Sequence, residues 1–152
     1  MIEVAIEGVA AGERGALFAM LGEYLQELDA YELEWDPAPP LEAYRGALED
    51  FPDEQALWWI VAGGRRAGFA ITREDLDWPE ERTLGVIVEF YVAPEARREG
   101  VGRAAVELLL AGMRERGVAQ VEASVLARNG PARGFWGSLG FEDRAVQTVR
   151  RP

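Results

Sequence analysis

Hydrophobic positions in the first half of the chain change their spacing several times, and each change marks an element. Ile2, Val4 and Ile6 alternate with polar residues, which is typical of a half-buried strand, and apolar residues then recur at helical spacing from residue 17 to 28. Three prolines interrupt the pattern before residue 41. The pattern predicts a strand at 2–6, a helix at 17–28, an irregular connection at 32–40, a short helix at 41–48, and a hairpin of strands at 57–62 and 67–72.

The second half begins with the strongest strand signal, an almost continuous apolar run over residues 83–92. Pro94 stops that strand, and the pattern then predicts an amphipathic helix over 100–116, a strand over 118–126, a short helix over 131–138 and a final strand from Phe141 onward. The order is β-α-α-β-β-β-α-β-α-β, without an internal repeat or linker. We therefore expect one domain over 1–152, of the α/β class with a mixed α+β sheet.

Three residue types that carry much enzyme chemistry are missing. The 152 residues include no cysteine and no histidine, and all 16 basic residues are arginines. These absences exclude a cysteine nucleophile, a Ser-His-Asp triad, a lysine Schiff base and a Walker lysine. Any reaction must use carboxylates, hydroxyls, backbone amides or a bound cofactor.

The net charge is −11. A nucleic-acid binder normally presents a basic face to phosphates, so we expect no nucleic acid and favour a cationic small molecule or peptide, although acidity also serves solubility. No apolar run approaches the ~20 residues of a membrane span, and the first residues do not read as a signal peptide. A cytoplasmic protein with no membrane partner is expected.

Arg97, Arg98 and Arg103 surround Gly100 and Gly102 in the turn between the strongest strand and its helix. Glycines allow close backbone approach, a helix N-terminus offers unpaired N–H groups, and arginines add charge-assisted hydrogen bonds. The turn is predicted to bind an anion such as a pyrophosphate. The alternative is a glycine-rich helix start with solvated arginines.

Glu89 is the only charged residue in the stretch 84–92, which otherwise reads as a strand buried on both faces. Strand alternation places it on the same side as Ile87 and Tyr91. Partial burial would raise the pKa of its carboxyl toward the range useful for a general base. The alternative is a charge at a sheet edge or in an ion pair.

Asn129, the only asparagine, precedes a short predicted helix that contains Phe135 and Trp136. Its side chain is suited either to cap that helix or to reach a cofactor in a cleft. The two aromatic residues are more often core than cofactor wall.

Together these segments resemble the Gcn5-related N-acetyltransferase (GNAT) family, whose central motif reads strand, Arg/Gln-x-x-Gly-x-Gly/Ala, helix. Arg97, Gly100 and Gly102 fill that motif. A later family pattern is met by Asn129, Ala132, Phe135, Trp136, Leu139, Gly140 and Phe141. The match covers residues 84–141, and the first eighty residues agree only in coarse element order.

The resemblance implies the acyl-CoA N-acyltransferase fold and an enzyme that moves an acetyl group from acetyl-CoA, a co-substrate, to an amine without a metal. Glu89 matches the family position often used as general base. The implied coenzyme-binding residues are Phe90, Tyr91 and Val92 for the pantetheine arm, Arg97, Arg98, Glu99, Gly100, Val101, Gly102 and Arg103 for the pyrophosphate, and Asn129, Ala132, Phe135 and Trp136 in the later motif. Without cysteine, direct attack in a ternary complex is favoured over an acyl-enzyme. Family members often pair through sheet edges, so a homodimer is expected.

The sequence departs from the family at Trp136, where many members carry the tyrosine that reprotonates the leaving thiolate. Tyr91 and Ser138 are the candidate acids, and Tyr24 and Tyr31 are others. Solvent is the remaining proton source.

The acceptor site is expected in the acidic, aromatic stretch 24–36. Tyr24, Tyr31, Glu34 and Trp35 are its substrate-binding candidates, because carboxylates and aromatic faces attract cations. The alternative is a solvated helix face.

Two other classes stay open. Residues 100–105 satisfy the Gly-x-Gly-x-x-Ala pattern of a dinucleotide-binding module. Two features count against it: several residues separate the strand from the first glycine, and the chain that follows is too short for the second half of such a sheet. A non-catalytic acyl-CoA sensor would also account for the missing tyrosine.

Overall fold

The computed structural model describes residues 2–50 and 53–152. The strands are β1 Val4–Gly8, β2 Ala56–Ala62, β3 Arg65–Asp77, β4 Arg82–Val92 and β5 Gln120–Ala123, and the helices are α1 Arg14–Asp29, α2 Leu41–Asp50, α3 Val101–Glu115 and α4 Gly130–Ser138. The spacing of apolar residues predicts all of them, with some ends displaced. None of the described helices is both long and apolar enough to cross a bilayer.

The five strands form one sheet in chain order. Neighbours from β1 to β4 are antiparallel, whereas β4 and β5 are parallel, with α3 as their crossover. α1 and α2 cover one face through residues such as Leu21 and Leu48, and α3 and α4 cover the other through Val106 and Trp136. The predicted mixed sheet is confirmed. The dinucleotide-binding alternative is wrong, since that fold needs a mostly parallel sheet.

β4 has a bulge at Val88, because Ile71 pairs with Glu89 while Thr72 pairs with Ile87. The extra residue reverses the alternation, so that Ile87 packs with α3 and α4 while Glu89 faces α1 and α2. The prediction that Glu89 shares a side with Ile87 is therefore wrong.

β4 and β5 separate at this bulge. Pairing runs only from Leu84 to Ile87 on β4, and β5 ends at Ala123, whereas β4 continues to Val92. The strand predicted over 118–126 is thus shorter, because the bulge bends β4 and ends the ladder. A cleft opens between the last residues of β4 and the chain that leads from β5 into α4.

The strand predicted from Phe141 onward is wrong: among the described residues, 141–152 is irregular. Phe141 packs beside Trp136, but Val146 and Val149 are 83% and 46% exposed. A strand there would bury no apolar face, so nothing would offset the entropy lost on ordering it.

Candidate active site

The cleft between β4 and the chain after β5 has a volume of about 250 Å³. Its walls come from α1, the connection to α2, α2 itself, the bulge of β4, and the segment from β5 into α4. Among its lining residues are six of the predicted site residues: Tyr24, Glu89, Phe90, Asn129, Ala132 and Trp136. Glu32, Tyr44 and Gln147 also line it.

Glu89 belongs to a cluster of three side chains. The Tyr24 hydroxyl on α1 donates a hydrogen bond to Oε2 of Glu89 at 2.5 Å, and the Tyr44 hydroxyl on α2 donates to Oε1 at 3.1 Å. Each carboxylate oxygen has a donor, which fixes the orientation of the side chain. The alternative of an ion pair is wrong, since the partners are neutral hydroxyls, although Glu89 does lie where β4 has no neighbour on the β5 side.

The environment of this cluster determines which group accepts a proton. Burial raises the pKa of the Glu89 carboxyl above its usual value, and the hydrogen bonds from the two tyrosines lower it part of the way back. Burial also raises the pKa of Tyr24 and of Tyr44, and the charge of Glu89 adds to both effects. The tyrosines therefore remain protonated donors, and the Glu89 carboxylate is the group of this cluster that is able to accept a proton. This is an arrangement expected of a general base.

The turn before α3 has a backbone suited to anion binding. Arg98 and Gly100 adopt left-handed φ angles of 66° and 78°, and the helix then begins at Val101. Val101 is buried in the core, whereas Glu99 is exposed. The first N–H groups of a helix have no partner within it and carry partial positive charge. The start of α3 therefore fits a pyrophosphate.

The three arginines of this turn differ in what they contact. Arg97 donates to the carbonyl of Val92 at 2.8 Å and pairs with Glu27 of α1 at 2.7 Å, so it ties the end of β4 to α1. Arg103 donates to a carbonyl at the end of α4 at 3.0 Å. Arg98 is exposed. Two of the predicted anion-binding side chains thus also hold neighbouring elements together.

Gly102 lies where α3 meets α4. A Cβ at this position would be 3.1 Å from the ring of Phe135, which is stacked on Phe90 with 5.8 Å between ring centroids. Because Phe90 packs against that ring, the ring has little room to move, and glycine at 102 allows α3 and α4 to pack closely. Gly102 therefore has a packing role, and its predicted part in binding a ligand stays a prediction, whereas the left-handed φ of Gly100 supports the turn itself.

α4 begins at the cleft with Asn129. Its Oδ1 accepts a hydrogen bond from the backbone N–H of Ala132 at 3.1 Å, which confirms the capping role. Trp136 is buried in edge-to-face contact with Phe90 and Phe135. The two aromatic residues of α4 are thus packed against each other, and Trp136 also forms part of the cleft wall.

The two candidate acids are not brought to the cleft. Tyr91 packs against Tyr24 beneath α1, and burial, followed by nearby carboxylates, raises its pKa to about 12. Ser138 is exposed at the end of α4, and its hydroxyl donates to the carbonyl of Phe135 at 2.7 Å. Tyr24 is the candidate acid that does reach Glu89.

The predicted acceptor residues divide between the cleft and its rim. Tyr24 lines the cleft, whereas Tyr31, Glu34 and Trp35 lie in the bend after α1, where Trp35 is 40% exposed. Glu32 of the same bend lines the cleft, and burial, followed by nearby carboxylates, raises its pKa.

Sequence reasoning missed Tyr44. With Leu41 and Leu48 it forms the apolar stripe of α2, a spacing typical of a core helix face. Nothing local distinguishes a tyrosine that only packs from one whose hydroxyl meets a carboxylate 45 positions away.

A mixed sheet split between its two parallel strands, with a helix N-terminus beyond the split, is the architecture of the GNAT fold. The model of the Acetyltransferase (GNAT) family matches residues 23–141, and the chain belongs to that family. The resemblance found in the two sequence motifs is thereby confirmed.

Named relatives align over little more than half of the chain. The [ribosomal protein bS18]-alanine N-acetyltransferase of Escherichia coli strain K12 is 38% identical over 88 residues, which are 58% of this chain and 55% of that protein. The mycothiol acetyltransferase of Corynebacterium urealyticum is 39% identical over 84 residues, 53% of this chain and 25% of that protein. The chain thus spans about half the length, or less, of these two relatives.

Among solved structures, the ribosomal-protein-alanine N-acetyltransferase of Brucella melitensis biovar Abortus 2308 superposes with a TM-score of 0.75 at 17% identity. The superposition covers 99% of both chains. It shows that the fold is shared.

Proposed function

We propose that the protein is an N-acetyltransferase that passes an acetyl group from acetyl-CoA directly to a primary amine in a ternary complex. The observation that carries this proposal is the Glu89 carboxylate, held by two tyrosines in a cleft where β4 has lost its neighbouring strand. Acetyl-CoA supplies the acetyl group as a thioester. The carbon–sulphur bond of the thioester breaks as the amine nitrogen forms the amide bond, and the thiolate leaves.

The residues around the cleft fit this co-substrate in two ways. Beyond Ile87, within the described residues, β5 no longer pairs with β4, so the backbone around Phe90 and Tyr91 is free to bond an extended arm that carries amides. The start of α3, with Arg98 beside it, is suited to the negative charge of a pyrophosphate. The Val92 carbonyl is already used by Arg97.

Glu89 would act as the general base. An ammonium group must lose a proton before its nitrogen attacks a carbonyl, and Glu89 would accept that proton directly or through one water. Tyr24 and Tyr44 keep the carboxylate in one orientation. Since the chain has no cysteine, it offers no thiol for an acyl-enzyme, and positioning of the two substrates would supply much of the rate.

The leaving thiolate requires little help from the protein. Trp136 offers no acid, and the raised pKa values of Tyr24 and Tyr44 make both hydroxyls weak acids. A thiol has an ordinary pKa of about 8.5, so the thiolate is a stable leaving group that water can protonate. The same tryptophan favours the second candidate function, a non-catalytic acyl-CoA sensor.

The acceptor in this proposal is a cationic peptide or small-molecule amine. A relative named for a ribosomal-protein alanine supports a peptide, and one named for mycothiol supports a small molecule. The carboxylates of the bend after α1 favour positive charge on either kind of acceptor. A cytoplasmic location and a homodimer stay predictions.

The test is the melting temperature with acetyl-CoA, with NAD as a parallel control, followed by turnover with a panel of amines. A ligand at 100 times its Kd adds about 2.7 kcal/mol of stability, or roughly 5–10 °C for a chain of this size. A rise with acetyl-CoA alone and acetylated product are expected. A rise without turnover of any amine would favour the sensor, and no rise at millimolar acetyl-CoA would refute both.

A further inference from the structure

Residues 142–152 form a strap that crosses from the α4 side of the cleft to the bend after α1. Phe141 anchors its start in the core, and ion pairs from Asp143 to α4 and from Arg144 to β5 hold the next residues, at 2.8 and 3.0 Å. Gln147 then lines the cleft, and Arg151 reaches the bend. The strap therefore follows a course that touches both the cleft and its rim.

The far end of the strap places a guanidinium group on an aromatic ring. Cζ of Arg151 lies 5.2 Å from the centroid of the Trp35 ring, which is within cation–π range. The face of an indole ring is negatively polarised, and a cation is the occupant that it favours.

We propose that the Trp35 ring forms a guanidinium-binding subsite for the acceptor, and that Arg151 occupies this subsite as an intramolecular competitor. The subsite presupposes the proposed function, because it makes the acceptor an arginine-bearing peptide amine. The chain's own guanidinium, seated on the ring, shows which chemistry the subsite accepts.

The course of the strap also gives the spacing of such an acceptor. Gln147 and Arg151 are four positions apart, a span of at most about 14 Å in extended chain. A peptide on the same course, with its terminal amine in the cleft, would carry its arginine about four residues further on. The span of four residues explains why the strap reaches both the cleft and the Trp35 ring.

The strength of the contact between Arg151 and Trp35 determines how much Arg151 weakens the binding of an acceptor. A cation–π contact at an exposed site changes an equilibrium about two- to fivefold. Arg151 therefore weakens binding of an arginine peptide by about that factor. Release of Arg151 leaves the anchors at Asp143 and Arg144 in place.

Binding in the presence of coenzyme A tests this subsite without any turnover. The probe is a hexapeptide with a free N-terminus and arginine in the fifth place, titrated calorimetrically beside a copy with neutral citrulline there. Arg151→Ala should tighten binding of the arginine peptide about two- to fivefold and leave the citrulline peptide unchanged. Arg150→Ala, a neighbour of equal charge whose Nε donates to the carbonyl of Arg151, should change neither.

A second variant tests the ring itself. Trp35→Ala should weaken the arginine peptide to the level of the citrulline peptide and abolish the effect of Arg151→Ala. Equal effects of the two arginine variants, or no preference for arginine over citrulline in the Arg151→Ala protein, would overturn the proposal. Acetylation of the same peptides is scored separately: a peptide that binds as expected but is not acetylated counts against the transferase and not against the subsite.

Discussion

The two sides of the cleft are built in opposite ways. The side proposed to bind the coenzyme, called the coenzyme side below, consists of β4, the turn at 97–103 and α3, which follow one another in the chain. The acceptor side brings Tyr24 and Tyr44 to Glu89 from 65 and 45 positions away, and it acts through side chains. The difference teaches that a local motif identifies the first side, whereas only tertiary packing creates the second.

Glu89→Gln has the largest expected effect, and it tests whether the two sides of the cleft act independently. Loss of a general base should lower kcat about 10²- to 10⁴-fold, while the rise in melting temperature with acetyl-CoA persists, because the backbone groups of the coenzyme side are unchanged. Steady-state kinetics and thermal shifts measure the two effects. Glu32→Gln, at the same cleft, is the control: a loss of kcat there without one in Glu89→Gln would assign the base to Glu32.

Gly102→Val tests whether the coenzyme side needs glycine for packing. The added side chain meets the Phe135 ring, and overpacking costs about 1–3 kcal/mol, or roughly 2–12 °C in melting temperature. Gly134→Val in α4, where a Cβ has open space, controls for the helix propensity of valine. If both variants melt alike and Gly102→Val alone loses acetyl-CoA binding, the glycine serves the ligand instead.

Tyr24→Phe has the smallest expected effect, and it sharpens the account of the acceptor side. The Tyr24 hydrogen bond lowers the pKa of Glu89, so its removal should raise that pKa further. A base works only when deprotonated, and the acid limb of kcat/KM against pH should therefore move to higher pH. Tyr31→Phe, outside the cleft lining, should leave the profile in place, and an unmoved limb in Tyr24→Phe would contradict the role of this bond.

Much of the fold was predictable because its elements have clear periodicity. The helix after Pro94 and the turn that precedes it carry their signals within a few residues, as does the cap at Asn129. The bulge at Val88 was not predictable, because residues 84–92 read as one uninterrupted apolar strand. Its consequence, the opposite facing of Ile87 and Glu89, was missed with it.

The site was predictable where chemistry and local pattern coincide. Glu89 stands out as a charge in an apolar strand, and its role then depends on hydroxyls that helix packing supplies. Tyr44 does not stand out from its neighbours in this way, because a tyrosine in the apolar stripe of a helix is expected to be a core residue. Ser138 was a candidate because it carries a hydroxyl, but it does not line the cleft, and its hydroxyl bonds to the carbonyl of Phe135.

The gap beside β4 also bears on how such a protein changes over evolutionary time. A surface made of main chain is present whatever side chains are substituted around it, so point mutations leave it largely intact. The bend after α1 has no such protection, since its character depends on residues such as Trp35 and Glu32. On the proposed function, descendants of this chain would therefore acquire new acceptors through a few substitutions in the bend while they keep the same donor.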